Sequence, residues 1–389
     1  MESNLIVMKF GGTSVKNQEH ISLVSRKIRY EILRGNKVVA VVSAQGDTTD
    51  RLLEASKKIN NKPNFRELDV LLSAGEQISM ALLAITLESL GVKAISLTGW
   101  QAGIKTCNCH CNAKIVNVFT ERIEKELKNN DVVVVAGFQG INENEDITTM
   151  GRGGSDTSAV ALASALKAKE CRIYTDVDGV YTADPRIVID AQKIKEISYD
   201  NMIKLADMGA KVLNKRSVRL AKKYGVEISV LTSMRESNKN TGTRVREIDF
   251  KDDPLVSAAI KEGVFILKIN EKDFSSVLEK IYDNKIEILD IFFVDKKSLI
   301  LMDSDKMKII EEILNGLEYE IEKKLSKISI ICTNQDNIFH NFAKIKESLK
   351  NVNIKYAYVS EYISIISDQS VGRDILRLVS SDLFKSNFN

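Results

Sequence analysis

The sequence predicts an α/β protein whose mostly parallel sheet is covered on both faces, followed by a smaller α+β region. Over the first 245 residues, short β-branched runs such as LIVMKF (5–10) and DVVVVAGF (131–138) alternate with segments of helical periodicity. These runs are continuously apolar, which is typical of parallel strands buried on both faces. Past residue 250 or so glycine becomes scarce, and a strand–helix–strand–strand pattern occurs twice.

The alternation can be followed element by element through the first region. Helices are predicted to end at Gly35 and Gly91, because glycine after the last periodic residue is a common helix terminator. Strands are predicted at 5–10, 37–44, 92–97, 131–138 and 171–177, and helices before Gly35, at 64–91, near 113–129 and from about 155 to 168. Ligands of such sheets bind beyond the carboxyl ends of the strands, so the polar loops there are the candidate site.

The sequence pattern predicts a first domain of residues 1–245. Two short units are predicted after it, at 255–320 and 325–389. The first unit contains VFILKI, a helix DFSSVLEKIYDN, IEILDIFFV and KSLILM. The second contains KISIICT, a helix NIFHNFAKIKESLK, IKYAYVS and YISIIS. The pattern is similar to a tandem ferredoxin-like pair, with a single irregular α+β domain as the alternative.

Composition narrows the class of protein. A chain of 389 residues suggests two or three domains, and 44% hydrophobic with 28% charged residues is ordinary for a globular protein. The net charge is only +3 with the signs interspersed, so neither nucleic acid nor membrane is expected as a partner. MESNLIVMKF does not have the form of a secretory signal, no apolar stretch approaches the roughly 18 residues of a membrane span, and five cysteines suggest reduced thiols. A cytoplasmic protein is therefore predicted.

Two glycine-rich loops could hold phosphate. KFGGTS (9–14) follows a strand and opens a helix, so its glycines allow close backbone approach and the helix offers N–H groups to an anion. Lys9 could neutralise phosphate charge. A plain turn is the alternative, and the chain contains no Walker A motif.

The second loop, TTMGRGGSDTS (148–158), places Arg152 among three glycines, where its guanidinium can grip a carboxylate or phosphate. Ser155 or Asp156 is predicted to cap the alanine-rich helix that follows; a flexible linker is the alternative. A third polar loop, TDVDGVYTADPR (175–186), could hold a nucleotide base and ribose, or could be a solvated loop with an Asp-Gly turn.

These segments together carry a resemblance to a family. KFGGTS, VVSAQGDTTD, LLSAGEQIS, AGFQG, ITTMGRGGSDTSAVALA, YTDVDGVYTADPR and GAKVL occur in the order in which aspartokinases, members of the amino acid kinase superfamily, carry them. They cover nearly all of the first 245 residues. The two C-terminal units resemble the paired ACT regulatory domains of the same family.

The resemblance implies a reaction. Aspartokinases transfer the γ-phosphoryl group of MgATP to the β-carboxylate of L-aspartate, giving 4-phospho-L-aspartate, the first step towards lysine, threonine and methionine. A carboxylate of pKa near 4 needs no general base, so positioning and positive charge should dominate. The implied cofactors are ATP and Mg²⁺, and the implied assembly is a homodimer or higher homo-oligomer through the ACT units.

The resemblance also assigns residues, position by position. Lys9 and Asp156 match the catalytic pair, with Asp156 orienting the lysine or the metal–phosphate assembly. Nucleotide-side matches are Gly11, Gly12, Thr13, Ser14, Thr175, Asp176, Tyr181, Arg186 and Lys211. Substrate-side matches are Arg152 for the α-carboxylate, Glu76 for the ammonium, and the hydroxyls of Ser43, Thr49 and Ser155. A solvent-facing Glu76 is the alternative. Magnesium is expected on ATP oxygens and water, with no protein ligand assigned.

The stretch TCNCHCN (106–112) concentrates three cysteines and a histidine. His110 matches the family's usual histidine, whereas the cysteines fall at permissive positions. An extended stretch would place Cys107, Cys109 and Cys111 on one oxidation-prone face. A metal site would require the loop to curl, and no second ligand pair has recognisable spacing, which favours a substrate-end loop with incidental thiols.

The match to the family is incomplete. Asn214 and Lys215 stand where the family usually has His-Pro, and both ACT-like units lack the usual Pro-Gly turn before their first helix. Only YVSEYISII, with Ser360 and Glu361, keeps part of an effector-site strand. A weak or altered response to lysine and threonine is therefore predicted.

Two other functions remain open at this stage. One is a drifted kinase acting on another acidic amino acid, which retention of Arg152, Glu76 and Thr49 disfavours. The other is a non-catalytic regulatory subunit with ACT domains, which the intact phosphate loops disfavour.

Overall fold

The computed structural model describes residues 4–210, 212–234, 242–249, 256–332, 338–360 and 362–386. The chain divides into two compact units. The first comprises Met1–Val180, Lys193–Asp207 and Lys211–Asp253, and the second comprises Tyr181–Gln192, Met208–Ala210 and Pro254–Asn389. Two short segments from the first region of the sequence therefore belong to the second unit.

The elements of the first region alternate as the sequence predicts. They are β1 (Leu5–Phe10), α1 (Gln18–Leu33), β2 (Lys37–Val42), α2 (Thr48–Ile59), α3 (Phe65–Ser89), β3 (Ala94–Leu97), β4 (Ile104–Thr106), β5 (Ile115–Val118), α4 (Glu121–Asn129), β6 (Val132–Ala136), β7 (Gln139–Ile141), β8 (Ile147–Thr149), α5 (Gly154–Ala165), β9 (Glu170–Thr175), β10 (Val180–Tyr181), β11 (Lys193–Ile194), β12 (Glu196–Ser198), α6 (Tyr199–Asp207), α7 (Lys215–Tyr224), β13 (Ile228–Thr232) and β14 (Thr243–Arg246).

The main sheet has eight strands in the order β12-β14-β13-β9-β1-β2-β6-β3, and every neighbouring pair is parallel except β13 with β14. The stretches 38–42 and 132–136 are fully buried, which confirms the prediction of strands covered on both faces. A smaller sheet, β5-β4-β7-β8, stands apart. The predicted α/β class with a mostly parallel sheet is confirmed.

Three predictions about this unit are wrong. The helix predicted near 113–129 begins only at Glu121, because residues 115–118 pair with β4 as strand β5. Neither Ser155 nor Asp156 caps α5: the cap is Gly153, at φ 71°, a backbone conformation that glycine adopts without strain. The expectation that no apolar stretch approaches the roughly 18 residues of a membrane span is wrong for α3.

Among the residues that the structure describes, α3 is the one helix long and apolar enough to cross a membrane, with a mean hydropathy of 1.7 over an 18-residue window. Half of that window is buried within the protein. Leu83 and Leu87 lie in the main core at no exposure, and α3 also buries two carboxylates. The composition of α3 is thus that of a core helix, which can be as long and as apolar as a membrane-spanning helix.

The second unit is built on an antiparallel sheet. Its elements are β15 (Val256–Asn270), α8 (Phe274–Asp283), β16 (Asp290–Val294), β17 (Lys297–Asp303), α9 (Met307–Ile313), β18 (Tyr319–Cys332), α10 (Ile338–Ser348), β19 (Ile354–Val359), β20 (Ile363–Asp368) and α11 (Gly372–Ser386). The strand order is β16-β17-β15-β18-β20-β19, with every pair antiparallel. The sequence did not predict α9 and α11.

The two central strands each serve both halves of this sheet. Residues 264–270 of β15 pair with β17 and with 319–325 of β18, whereas residues 256–262 pair with 326–332. The register shifts once across Gly263, at φ 72°, and again between Val264 and Ile266, and Lys324 has φ 59° on the partner strand. Bulges of this kind bend a strand. The first half has the ferredoxin-like chain order β-α-β-β-α-β and ends in residues 319–325 of β18. The second half runs from residues 326–332 of β18 to α11, and residues 256–262 of β15 supply its fourth strand.

The segment Tyr181–Gln192 packs on this unit. Its Val188 and Ala183 lie in the same core as Ile328 and Val379. The carbonyl of Thr182 accepts from the amide of residue 258, at 2.8 Å. Burial of these apolar side chains explains why the end of the third polar loop leaves the first unit.

Candidate active site

The loop after β1 meets the loops that follow two neighbouring strands. The amide of Gly11 donates to the carbonyl of Tyr174 at the end of β9, at 3.3 Å. A Cβ atom on Gly12 would lie 2.7 Å from the carbonyl oxygen of Ala44, which follows β2. Only glycine fits such a close approach. The Gly-Gly pair thus gathers three strand ends at the carboxyl edge of the sheet, where ligands of this architecture bind.

Lys9 and Asp156 form an ion pair at this edge. Nζ of Lys9 lies 2.6 Å from Oδ1 of Asp156, and each side chain is only 11% exposed. Asp156 stands in the first turn of α5, whose free N–H groups and dipole favour negative charge. Nζ lies 3.4 Å from the position that a Cβ of Gly11 would take, so the cation faces the glycine loop.

Glu76 lies inside the protein, on the buried face of α3. Its residue exposure is 3%, so the solvent-facing alternative is wrong. Oε1 accepts the amide of Ala44 at 3.0 Å, whereas Oε2 has no hydrogen-bond partner among the described residues. Burial raises the pKa of Glu76 to about 7, against the opposing effect of the Ala44 amide. No cation of the described residues forms an ion pair with this carboxylate.

Asp69, two turns earlier on α3, organises the neighbouring loops and was missed by the sequence analysis. It is fully buried, and its carboxylate oxygens lie 2.7 Å from Nδ1 of His110 and 3.0 Å from the amide of Cys111. The hydroxyl of Thr149 donates to it as well. A charged residue seven positions before Glu76, and so on the same face of a largely apolar helix, was the available signal.

The glycine loop 151–154 is held by residues from the start of α7. Nδ2 of Asn214 donates to the carbonyl of Arg152 at 3.1 Å, and a Cβ on Gly153 would lie 2.3 Å from the Asn214 side chain. Arg216 donates to the carbonyl of Met150 at 2.7 Å. Asn214 is also the N-cap of α7. The residue that stands in place of the family's usual histidine therefore still allows a helix to begin here. The Arg152 residue itself is exposed.

Among the residues predicted to contact the nucleotide, a chain of hydroxyl groups joins the loop after β1 to the loop after β9. The hydroxyl of Ser14 donates to that of Ser233 at 2.8 Å, and the Ser233 hydroxyl donates to the carbonyl of Thr175 at 3.2 Å. The Thr175 hydroxyl donates to Asp176, whose side chain is exposed. Ser233 had no signal in the sequence, since it lies 219 residues from Ser14. Thr13 is exposed beside this chain of hydroxyls.

Three further residues were predicted to contact the substrate, namely Ser43, Thr49 and Ser155. The amide of Ser43 donates to the carbonyl of Phe10 at 3.1 Å. Ser155 fills the space next to Gly137, where a Cβ would lie 2.9 Å from its own. Thr49 is half-buried in the first turn of α2.

Three predicted nucleotide-side residues are not brought to this cluster by the described contacts. Tyr181 and Arg186 belong to the second unit. The Arg186 guanidinium pairs with both oxygens of Asp184, at 3.0 and 2.8 Å. Lys211 lies outside the described residues, as does Glu361 of the effector-site strand.

The cysteine-rich stretch is a turn rather than an extended segment. Cys111 has φ 60°, and its thiol donates to the carbonyl of Phe65 at 3.6 Å. Cys107 instead accepts the amide of Lys114 at 3.3 Å, so the thiols do not line one face. Across the described residues, no group of three or more His, Cys, Asp and Glu side chains is placed to hold a metal ion.

The fold and this site define a class of protein, the amino acid kinases. Residues 4–232 match the family model described as the amino acid kinase family. The structure is similar to Escherichia coli aspartokinase III in complex with aspartate and ADP, with a TM-score of 0.82 and 21% identity over 98% of this chain and all of that one. Clostridium acetobutylicum aspartate kinase gives a TM-score of 0.72 at 20% identity, over 97% of this chain and 99% of that one. At such identities these likenesses show the fold.

Sequence comparison narrows the class further. The chain is 42% identical to an aspartokinase of Geobacillus stearothermophilus over 94% of this chain and 93% of that protein. It is 40% identical to aspartokinase 2 of Bacillus subtilis over 92% of each. The chain belongs to the aspartokinase family, a group of ATP-dependent kinases, which confirms the resemblance found in the sequence.

Proposed function

We propose that the protein transfers the γ-phosphoryl group of MgATP to the β-carboxylate of L-aspartate, giving 4-phospho-L-aspartate. One observation carries the proposal: Ala44 contacts both halves of the site. Its carbonyl is next to Gly12 in the phosphate loop, and its amide binds Glu76 at 3.0 Å. An amino acid whose ammonium pairs with Glu76 would therefore sit beside the phosphates of a nucleotide at the Gly-Gly loop.

The charges of the site suit this reaction. The acceptor carboxylate is ionised at neutral pH and needs no general base, so the difficulty is bringing it to a polyanion. Lys9 supplies positive charge at the glycine loop, and Asp156 holds its ammonium in place. Gly11, Gly12, Thr13 and Ser14 present backbone and hydroxyl groups to the phosphates. Mg²⁺ enters with ATP, held by phosphate oxygens and water, as hard cations prefer.

Glu76 selects the acceptor. A buried carboxylate without a cation favours a ligand that brings an ammonium group into the site. The ammonium pairs with the buried charge and so offsets its desolvation cost. We assign the α-carboxylate to Arg152, and additional hydroxyl contacts to Ser43, Thr49 and Ser155. An N-acylated amino acid cannot supply the ammonium and is expected to be rejected.

On the nucleotide side we retain Thr175, Asp176, Tyr181, Arg186 and Lys211 as proposed contacts. The hydroxyl chain from Ser14 to Thr175 supports the first of these, because it links the phosphate loop to the loop after β9. The Asp184–Arg186 pair would have to open for Arg186 to reach a nucleotide.

The proposed activity implies a metabolic role, a location and an assembly for the protein. We propose a cytoplasmic enzyme at the start of lysine, threonine and methionine formation, with a catalytic domain of residues 1–245 and ACT units of 255–320 and 325–389 that exchange strands at their shared edge. We infer homo-oligomer formation through the ACT units and a weak response to lysine and threonine. Strong inhibition by either amino acid at submillimolar concentration would contradict the regulatory part.

The test is ADP release from MgATP by the purified protein with L-aspartate, in parallel with L-glutamate, N-acetyl-L-glutamate and UMP. We expect turnover with L-aspartate alone. Turnover with L-glutamate instead would favour a kinase for another acidic amino acid. Binding of ATP without turnover on any acceptor would favour a regulatory subunit.

A further inference from the structure

We propose that the turn at 107–114 is a thiol-modification site, in which Cys107 is the reactive thiol and Cys109 the thiol that resolves it, with a low-molecular-weight disulfide as the oxidant. The kinase site does not use these side chains. Both occur in a stretch where the family pattern is permissive, so the site would be a property of this chain.

The turn gathers hydrogen-bond donors around one sulfur atom. The amide of Cys107 donates to the carbonyl of Lys114 at 3.0 Å, and the amide of Lys114 donates back to Sγ of Cys107 at 3.3 Å. The exposed Cys109 lies two positions further along the same turn. Partial burial acts to raise the pKa of Cys107, but the Lys114 amide together with Cys109 outweighs it, and the pKa lies below its ordinary value. A stabilised thiolate is the nucleophilic form of cysteine.

The neighbouring thiols differ in access. Cys107 is half-buried and Cys109 is exposed, so an oxidant in solution can reach the pair. Cys111 is turned towards the carbonyl of Phe65, and burial together with Asp69 raises its pKa to about 12. Four positions therefore separate the activated thiol of Cys107 from the unreactive thiol of Cys111, and Cys111 provides a matched control.

The chemistry is two successive thiol–disulfide exchanges. The Cys107 thiolate attacks one sulfur of the disulfide RSSR, forming a Cys107–SR bond and releasing RS⁻. The Cys109 thiol gives its proton to solvent, attacks Sγ of Cys107 and releases the second RS⁻. The two protein thiols lose two electrons, RSSR gains them, and the released thiolates take up protons from solvent.

The turn is joined to the loop that carries Arg152. Oδ1 of Asn112 accepts a hydrogen bond from Arg216 at 2.6 Å, and the same guanidinium binds the carbonyl of Met150 at 2.7 Å. A Cβ on Gly151 would lie 3.1 Å from the carbonyl of Cys111, so the two loops are in close contact. A disulfide or mixed disulfide at Cys107 would displace this contact. This kinetic consequence rests on the proposed function, whereas the modification itself does not.

The modification is tested by intact-protein mass spectrometry after incubation of the full chain with glutathione disulfide at pH 7. We expect one glutathione adduct that decays to a product two hydrogens lighter than the starting protein. In Cys109→Ser the adduct should persist, in Cys107→Ser it should not form, and Cys111→Ser should behave as the parent. Equal adduct formation in Cys107→Ser and the parent would overturn the assignment.

The kinetic arm measures the KM for L-aspartate and for ATP on the oxidised, reduced and re-reduced protein. We expect the KM for L-aspartate to rise about tenfold or more on oxidation, because small displacements of a positioning group cost up to about a hundredfold. The KM for ATP should change little, and dithiothreitol should restore both values. Unchanged kinetics in a fully oxidised sample would overturn the coupling. If no kinase activity exists at all, the mass measurement still decides the thiol assignment.

Discussion

Asp290 in the second unit and Glu76 in the first unit are carboxyl groups with different sets of partners. In the second unit, Oδ2 of Asp290 lies 2.9 Å from Nζ of Lys327 and accepts the hydroxyl of Tyr358 at 2.7 Å. In the first unit, Glu76 binds one backbone amide, and its second oxygen has no partner in the described part of the chain. Burial costs a charged group several kcal/mol unless it is paired. A completed set of partners therefore indicates a structural role, and an incomplete set indicates a place for a ligand.

The lysines of the two units extend this comparison. Lys9 and Lys327 are both buried and both pair with an aspartate, at 2.6 and 2.9 Å. Lys9 lies at the carboxyl edge of a parallel sheet beside two glycines, whereas Lys327 also lies over the ring of Tyr362, 4.8 Å from its centroid. The same pair of residue types is expected to serve phosphoryl transfer in one unit and stability in the other.

The largest expected effect is kinetic and follows removal of the first lysine. Lys9→Met keeps the apolar stem and removes the charge, so kcat should fall about a hundred- to a thousandfold, as when one transition-state donor is lost. ADP release under saturating substrates measures it. The aspartate and ATP KM values should change less than kcat. A variant with near-normal kcat would remove Lys9 from the catalytic pair.

Removal of the second lysine should affect stability instead. Lys327→Met leaves Asp290 buried without its cation, and breaking a buried pair typically costs about 3–5 kcal/mol. Urea unfolding followed by circular dichroism measures the change. The activity per folded molecule should stay within about twofold of the parent. A large kinetic defect in fully folded Lys327→Met would contradict the division of roles between the two pairs.

Glu76→Gln should weaken the binding of L-aspartate and raise the free energy of unfolding. Losing the ammonium partner should raise the KM for L-aspartate about thirtyfold, the equivalent of about 2 kcal/mol. Because the folded pKa is raised from 4.5 to about 7, the native state holds its proton longer than the unfolded chain does, and stability falls as pH rises through that window. The side-chain amide of the variant stays neutral, so the variant does not lose stability as the pH rises.

The stability gain of Glu76→Gln at pH 8 should be about 3 kcal/mol, at roughly 1.4 kcal/mol per pKa unit. It should disappear near pH 4, where the parent carboxyl is protonated in both states. Thermal unfolding at the two pH values provides the comparison. Equal stability of parent and variant at pH 8 would mean that Glu76 is not the unpaired buried charge described above.

The smallest effect is the pH dependence of the parent enzyme. Protonation of Glu76 competes with the substrate ammonium, so the KM for L-aspartate should rise about tenfold between pH 8 and pH 6, and it should not exceed the KM of Glu76→Gln at lower pH. The KM for ATP is the internal reference and should not follow this curve. In Glu76→Gln the dependence should be flat. A pH profile that persists in the variant would assign the titration to another group.

Much of the fold could be predicted because its signals are local. Five runs of residues predicted strands from their apolar composition alone, and they form β1, β2, β3, β6 and β9. The helix predicted near 113–129 is confirmed only from Glu121 onwards, because residues 115–118 obtain their conformation from pairing with β4, which no local pattern reports. The length of β15 and β18 was missed for the same reason, since each depends on the other strand and on a bulge.

The sequence by itself determined the family, the glycine loops, and the charged residues that the site requires, because these depend on residue type and order along the chain. Only the tertiary structure decided which carboxylate is paired and which is not. Asp69, Ser233 and Arg216 became site residues through contacts across large sequence separations. The same holds for the opposite fates of Cys107 and Cys111, because the reactivity of a thiol depends on the donors and the burial that surround it.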